Sequence, residues 1–446
     1  MKLLTKPKRR ALRDLRPTTI VAALATSALI CGQAIAGGIS LFEVGTEDVG
    51  LAAAGYAARA QDASTVLTNP AGMTRLEGNQ VQLATQLLYS NMKFSSNGGT
   101  SAALGSNNSG NVIGDNGLVP GGGLFVSYSV SPDLKLGFAS TGNFGLALKH
   151  DDDWVGRYYS QQAALMGLSL LPSIAYRVND KLSLGASVNA MYGYLKNVIA
   201  VNNVLDNRAD GKLLMRDTTW GWGFNLGLLY EPTPATRFGL TYSSQIDLDF
   251  APQAQFSGTG PILTGLLNAR GLNGATVNLG IKVPQQVMGS VLHTLNERWT
   301  VLGNVGWQQW SKFGQIEVSI ADVNNPSLTT QLNFKDTWHA ALGAQYRLSE
   351  PWQLNFGIAY DTAYQSGPLV SVSTPTNETW RFGVGGQNQV SKTFSWGIAA
   401  EYLYGGAGDV NKQAALPVAL GGRGNLVGSY DSIGLYFLSA NFNWKF

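Results

Sequence analysis

Residues 436–446 read YFLSANFNWKF. Tyr436, Leu438, Ala440, Phe442, Trp444 and Phe446 fall on one parity, and Ser439, Asn441, Asn443 and Lys445 on the other. A period of two describes a strand with one apolar and one polar face. In a soluble protein that apolar face meets a packed core; in a membrane barrel it meets lipid. The rest of the chain decides between them.

Composition favours lipid. Charged residues make up 13% of the chain, about half the share usual in soluble domains. There are 54 Gly, 11 Trp and 17 Tyr. Residues 1–36 have the layout of a secretory signal peptide. Lys2, Lys6, Lys8, Arg9, Arg10, Arg13 and Arg16 precede the apolar run Ile20–Ile30, and Ala34-Ile35-Ala36 supplies a cleavage site. That run is too short to span a bilayer, and no later stretch approaches the ~20 apolar residues a membrane helix needs. Cleavage removes 7 Lys+Arg and 1 acidic residue, turning the formal +3 into −3, which gives nucleic acid no foothold. It also removes Cys31, the one cysteine, so neither disulfides nor thiol chemistry is expected in the mature chain.

The alternation recurs along the chain. In WGWGFNLGLLY (220–230), WQLNFGIAYD (352–361) and FSWGIAAEYLY (394–404), large apolar residues share one face and Gly, Asn, Gln or Ser the other. About 14 such strands are expected between residues 79 and 446. Short turns fall at Ser131–Asp133, Asn179–Lys181, Pro232–Pro234, Leu295–Arg298, Ser349–Pro351 and Val390–Lys392. Between them come long connections near 95–120, 145–164, 198–213, 249–275, 320–331, 363–377 and 405–428. A soluble sandwich or propeller has no reason for that asymmetry, whereas an outer-membrane β-barrel does. The expected fold is all-β, a transmembrane antiparallel barrel over 79–446, with Phe446 as the aromatic end that barrel-assembly machinery recognises.

Residues 37–78 break the alternation. They are rich in Ala and Gly and suggest short helical turns, one capped by Asp62 and one begun by Asn69 with Pro70 at its first position. Such a segment is either a periplasmic tail or a plug. A ~14-strand barrel leaves a lumen, and small residues suit packing into it, which favours the plug.

Several segments in order resemble the FadL family of outer-membrane transporters for long-chain fatty acids and other hydrophobic compounds. They are DASTVLTNPAGM (62–73), FASTGNFGLAL (138–148), the stretch from Trp220 to Phe250, WQQWSKFGQIEV (307–318) and the two strands from Phe334 to Asp361. The resemblance implies a 14-stranded barrel in a Gram-negative outer membrane, a helical N-terminal hatch in its lumen, and passive, ligand-gated diffusion with lateral exit into the membrane. It matches Asn69, Pro70 and Ala71 to the hatch motif, and Asn143 and Gly145 to an inward kink of strand three. Asp361 matches a wall carboxylate that touches the hatch.

Two departures bear on cargo. Where relatives carry basic residues for a carboxylate, this chain has Ile199 and Thr330, with Lys196 and Lys335 close by as substitutes. The loop at 198–213 is short, but Ile262, Leu263, Leu266 and Leu267 keep a helical spacing suited to capturing an apolar ligand. Aromatic or aliphatic hydrocarbons are therefore the alternative cargo, and a general porin the remoter one.

Catalysis is not expected. His150, His293 and His339 are the only histidines; none has a serine two residues on, and neither Gly-x-Ser-x-Gly nor His-Glu-x-x-His occurs. No metal or cofactor is expected. The partners implied are a hydrophobic small molecule, outer-membrane lipid and the assembly machinery, and the expected state is a monomer.

Overall fold

The computed structural model describes residues 42–446, apart from 111, 113–116, 314, 321–327, 332–333, 366–370 and 373–376. The expected signal peptide, 1–36, lies outside the described residues, as do the first five positions of 37–78.

Fourteen antiparallel strands form the wall: β1 Gln80–Ser96, β2 Leu118–Ser129, β3 Leu134–Lys149, β4 Gln162–Asn179, β5 Leu182–Val201, β6 Gly211–Thr233, β7 Thr236–Ser243, β8 Gln286–Thr294, β9 Trp299–Gln308, β10 Thr337–Arg347, β11 Trp352–Asp361, β12 Thr379–Ser391, β13 Phe394–Tyr404 and β14 Leu426–Lys445. Each pairs with its neighbours, and β1 pairs with β14 from Gln80↔Lys445 upward. The sheet therefore closes on itself into a barrel. No helix among the described residues is long and apolar enough to cross a membrane.

The parity read from 436–446 now has a direction. Leu438 is 59% exposed and Trp444 42%, whereas Phe437, Ser439, Asn441 and Asn443 are all 3% or less. Large side chains point out toward lipid. The inward parity carries amides, hydroxyls and glycines, with a few buried apolar residues such as Phe437 and Phe125 among them.

The wall is uneven in height. β3–β6 run 16 to 23 residues, but β7–β11 only 8 to 11. The alternating residues near 246–250, 277–283 and 315–320, which border the connections expected near 249–275 and 320–331, do not prolong wall strands. They leave the wall and form a separate four-stranded sheet, Ile246–Phe250, Val277–Val283, Gln315–Ile320 and Leu328–Gln331. Ile246 and Leu248 pack where Gly221 and Gly223 leave room on the inward face of β6. Both kinds of strand bury alternate residues, so periodicity alone cannot separate them.

Residues 42–78 occupy the lumen. They contain α1, Thr46–Gly50, α2, Thr65–Thr68, and a 3₁₀ helix, Pro70–Arg75. Their seat is a row of inward glycines facing each other across three strands, Gly343 on β10, Gly357 on β11 and Gly383 on β12. A Cβ at Gly357 would lie 1.9 Å from the Leu51 carbonyl oxygen, and one at Gly383 2.3 Å from that of Val49. The plug rests on bare backbone.

Candidate functional site

Asn69 organises the lower plug. Its side-chain oxygen accepts from the Ala71 amide at 3.0 Å, capping the 3₁₀ helix that Pro70 begins. Its amide nitrogen donates to the Ala57 carbonyl at 2.6 Å and to that of Leu228 on β6 at 3.1 Å. One side chain thus ties two plug segments to the wall. Ala71 is fully buried, its amide 2.2 Å from where a Cβ of Gly185 would stand.

Further anchors ring the lumen. The Gly55 and Ala57 amides donate to Asn304 on β9 and Ser290 on β8. The Asp62 carboxylate accepts from the Ser64 amide at 2.9 Å and from Gln82 on β1 at 3.1 Å. Within the plug, Arg59 bridges Asp48 at 2.6 Å and Glu47 at 3.0 Å, all buried. Burial, and after it the Asp62 charge, push the Glu47 carboxyl up to about 8.

The plug's upper end meets a charged cluster. Arg381 on β12 forms ion pairs with Glu43 of the plug and with Asp361 on β11, the latter at 2.6 Å, with Glu401 on β13 3.9 Å away. Asp361 also lies 2.7 Å from His339 on β10, whose ring packs 4.5 Å from that of Phe42. Asp361 therefore reaches the plug through Arg381 and His339. Sequence reasoning missed Arg381 and Glu43; an arginine on the inward parity of RFGVGG was the available signal.

At β3 the wall changes. The β3–β4 register slips between Gly142 and Phe144, leaving Asn143 as the bulged residue. Asn143 accepts a hydrogen bond from Ser169 at 2.9 Å. β2 pairs with β3 only from Ser129↔Lys135 to Gly123↔Thr141. Above that level the one-residue slip turns the other parity of β3 inward, and Phe144, Leu146 and Leu148 are buried. An unpaired gap remains between the upper parts of β2 and β3. Gly145 takes φ +145°, and a Cβ there would lie 2.4 Å from the Leu165 carbonyl. Pro120 stands in β2 at this level; a residue without an N–H suits a strand that has lost a neighbour. The run Pro120-Gly121-Gly122-Gly123 is the sequence signal for the gap's other side; the connection expected near 95–120 overlaps the start of this strand, which begins at Leu118.

Over the short strands sits an aromatic group. Trp310 and Phe313 of α4, Trp310–Phe313, pack with Phe334 and Tyr364, and Phe313 reaches Phe144 of β3 at 6.3 Å. The helix here numbered α3, Pro261–Ala269, lies outside the wall strands. Asp206 accepts from its Ile262 and Leu263 amides at 2.9 and 3.0 Å. Ile262 and Leu266 are exposed, and Leu263 and Leu267 half-buried.

The two lysines separate. Lys335 is exposed beside Phe334, its amide donating to the Tyr364 carbonyl. Lys196 shares the outward parity of Tyr192 and Tyr194 while Leu195 faces the lumen, so the structure does not bring Lys196 to the interior. Charge alone had suggested it; strand parity overrules that.

Comparison with known proteins agrees with this architecture. Outer membrane protein P1 of Haemophilus influenzae is 30% identical over 421 residues, covering 86% of this chain and 89% of that protein. A long-chain fatty acid transport protein of Escherichia coli O6:H1 is 27% identical over 448 residues, covering 94% and 96%. The crystal structure of a Pseudomonas aeruginosa FadL homologue shares the fold, with a TM-score of 0.78 and 20% identity over 92% of this chain and 100% of that one. The family model of outer membrane protein transport proteins (OMPP1/FadL/TodX) matches residues 27–446, and this outer-membrane β-barrel belongs to that family.

Proposed function

We propose that the protein carries hydrophobic molecules passively across the outer membrane, taking long-chain fatty acids or related lipids and hydrocarbons, and that cargo leaves sideways through the wall. The observation that carries this reading is the gap between β2 and β3 above Thr141, beside a lumen closed by the plug. Exposed Ile262 and Leu266, with Leu263 and Leu267, offer an apolar surface for first capture. Burial then stabilises cargo by ~0.8 kcal/mol per methylene. Asn69, Pro70 and Ala71 hold the plug's base, Glu43 and Arg381 its tip, and Asp361 positions Arg381. Bound cargo shifts the plug, and the bulge at Asn143 and Gly145 leads to the gap. Lateral exit spares the cargo the aqueous periplasm. No energy source is needed for movement down a gradient.

The chain acts as a transporter without catalysis, as a monomer whose partners are cargo, outer-membrane lipid and, during biogenesis, the barrel-assembly machinery. A hydrocarbon channel is the second reading. It is favoured by the aromatic group of Trp310, Phe313, Phe334 and Tyr364, and by Ile199 where a basic residue would serve a carboxylate. The test is organic extraction of the purified protein and mass spectrometry of what it holds. Co-purified lipid or hydrocarbon is the expected result. Protein that carries no apolar ligand and conducts hydrophilic solutes with the plug in place contradicts the proposal.

A further inference from the structure

Lys196 faces away from the lumen, and the strand beside it shows what it faces instead. β5 and β6 pair without a slip from Leu182↔Tyr230 at the short-turn end to Val201↔Gly211 at the long-loop end, so parity can be followed over their whole height. On β6 every second residue from Tyr230 to Trp220 is large, apolar and outward. At ~3.4 Å per residue and a tilt near 40°, that column is about 26 Å tall, the height of a barrel's apolar band. The ring of Trp220, 5.2 Å from that of Tyr192 on β5, marks the band's outer edge.

Four positions higher, Lys196 and Arg216 stand directly opposite each other. The same rise and tilt put them about 10 Å above the band, at the level of lipid head groups. Like charges opposed on one face of a sheet destabilise it. Arg216 is exposed and Lys196 half-buried, and among the described residues neither side chain has a hydrogen-bond or ion-pair partner. The charges beside them do not relieve them. Asp217, next along β6, is on the inward parity and accepts from the Ala251 amide; Lys212, the next outward cation, pairs with Asp152. Two unpaired cations just above an apolar wall are complementary to an anion carried by a lipid.

We propose that Lys196 and Arg216 dock a phosphate-bearing lipid of the outer leaflet against the outside of the barrel, its phosphate between the two cations and its acyl chains lying down the wall over Tyr192 and Trp220. The guanidinium offers a fork of donors that fits phosphate, and the ammonium adds a second charge. One molecule then satisfies both the cations and the apolar wall, which neither a free anion nor an uncharged lipid does. The site lies on β5 and β6, away from the gap between β2 and β3, and leaves that route open. It requires only that the barrel stands in an outer membrane, whatever the lumen carries.

The test measures binding of lipid A bearing two phosphates, and of the same lipid with both removed, to the purified protein in an uncharged detergent. A cation at a charged lipid surface is worth about fivefold in affinity, so wild type should bind the phosphorylated form about 25-fold tighter. Lys196→Gln and Arg216→Gln should each lose about fivefold of that, and the double variant should bind both lipids alike. Lys181→Gln, the same charge change at the periplasmic turn before β5, should bind as wild type. Without lipid, the single variants should resist heat at least as well as wild type, because each removes the like-charge opposition. Equal wild-type affinity for the two lipids overturns the site, whether or not the variants fold. So does a folded double variant that prefers the phosphorylated form as strongly as wild type, or a Lys181→Gln that weakens binding as much as the double variant. Lower heat resistance of the single variants without lipid would show the cations to be engaged within the protein and overturns it too. Inorganic phosphate that displaces the lipid at equal concentration overturns the lipid as the occupant.

Discussion

Replacing Gly357 with alanine tests whether the plug sits where the wall is bare. The added methyl carbon would stand 1.9 Å from the Leu51 carbonyl oxygen and 2.0 Å from its carbon. Non-bonded carbon and oxygen need about 3.3 Å, so one of the two backbones must move by more than 1 Å. Neither has an easy way to yield. Gly357 is paired on both sides, to Gly343 and Gly383, and Leu51 is fully buried. Overpacking of this kind costs about 1–3 kcal/mol. Because barrel closure does not depend on the plug, the cost falls on plug seating, and the upper figure raises the unseated fraction about 100-fold. Single-channel recording in planar bilayers should show frequent openings in Gly357→Ala and rare ones in wild type, with heat-modifiable mobility unchanged. Gly303→Ala supplies the control. Gly303 points outward on β9, where a Cβ meets nothing nearer than 3.3 Å, and the variant should behave as wild type. A folded Gly357→Ala that conducts like wild type would refute this account of the seat.

Other outcomes follow from the same geometry. Glu43→Gln removes the plug's partner for Arg381 but leaves Asp361 at 2.6 Å, so the barrel should fold while proteases cut the plug's upper end faster. Arg381→Met strands Glu43, Asp361 and Glu401 together and should cost about 3–5 kcal/mol, read as loss of folded protein on gels. Gly145→Ala meets both φ +145° and the Leu165 carbonyl, so folding yield should fall sharply, whereas Gly121→Ala, whose nearest neighbour is the flexible end of Gln86 at 3.1 Å, should be mild. The Glu47 carboxyl is raised from 4.5 to about 8, so the seated plug binds a proton that the released plug loses. The stabilisation is full below about 4.5 and lost as the pH rises through about 8; channel openings should become more frequent over that window, and Glu47→Gln should flatten the trend.

Much of the wall was legible because lipid enforces a strict rule. One parity must be apolar, and the chain from Trp220 to Tyr230 or from Tyr436 to Phe446 obeys it without exception on its outward face. The lumen enforces no comparable rule. Gly343, Gly357 and Gly383 are scattered in sequence, and only the pairing of β10, β11 and β12 aligns them into a seat. Ile246, Leu248 and Phe250 alternate as wall strands do, yet they belong to the inner sheet, since a second buried face imposes the same period. The kink was half legible. Gly142, Asn143 and Gly145 signalled a bulge, but not that the conformation at Gly145 excludes even a Cβ. On the facing side, the connection expected near 95–120 reached Pro120, although Pro120 to Gly123 lie within β2. Lys196 was legible as a charge but not as a direction.

The central claim is lateral exit between β2 and β3, and the decisive variant belongs on β2. Gly121 lies at the level where β2 has lost β3, on the inward parity of Val119 and Gly123, with room on its Cβ side apart from the Gln86 amide. Gly121→Arg places a long cation in the opening without straining the backbone. The measurement is uptake of a labelled hydrophobic substrate by cells expressing this variant, with ligand binding and heat-modifiable mobility recorded in parallel. The account predicts folded protein that binds ligand and whose uptake falls to the empty-cell background. A folded, ligand-binding Gly121→Arg that transports at the wild-type rate would contradict it and direct the cargo down the barrel axis.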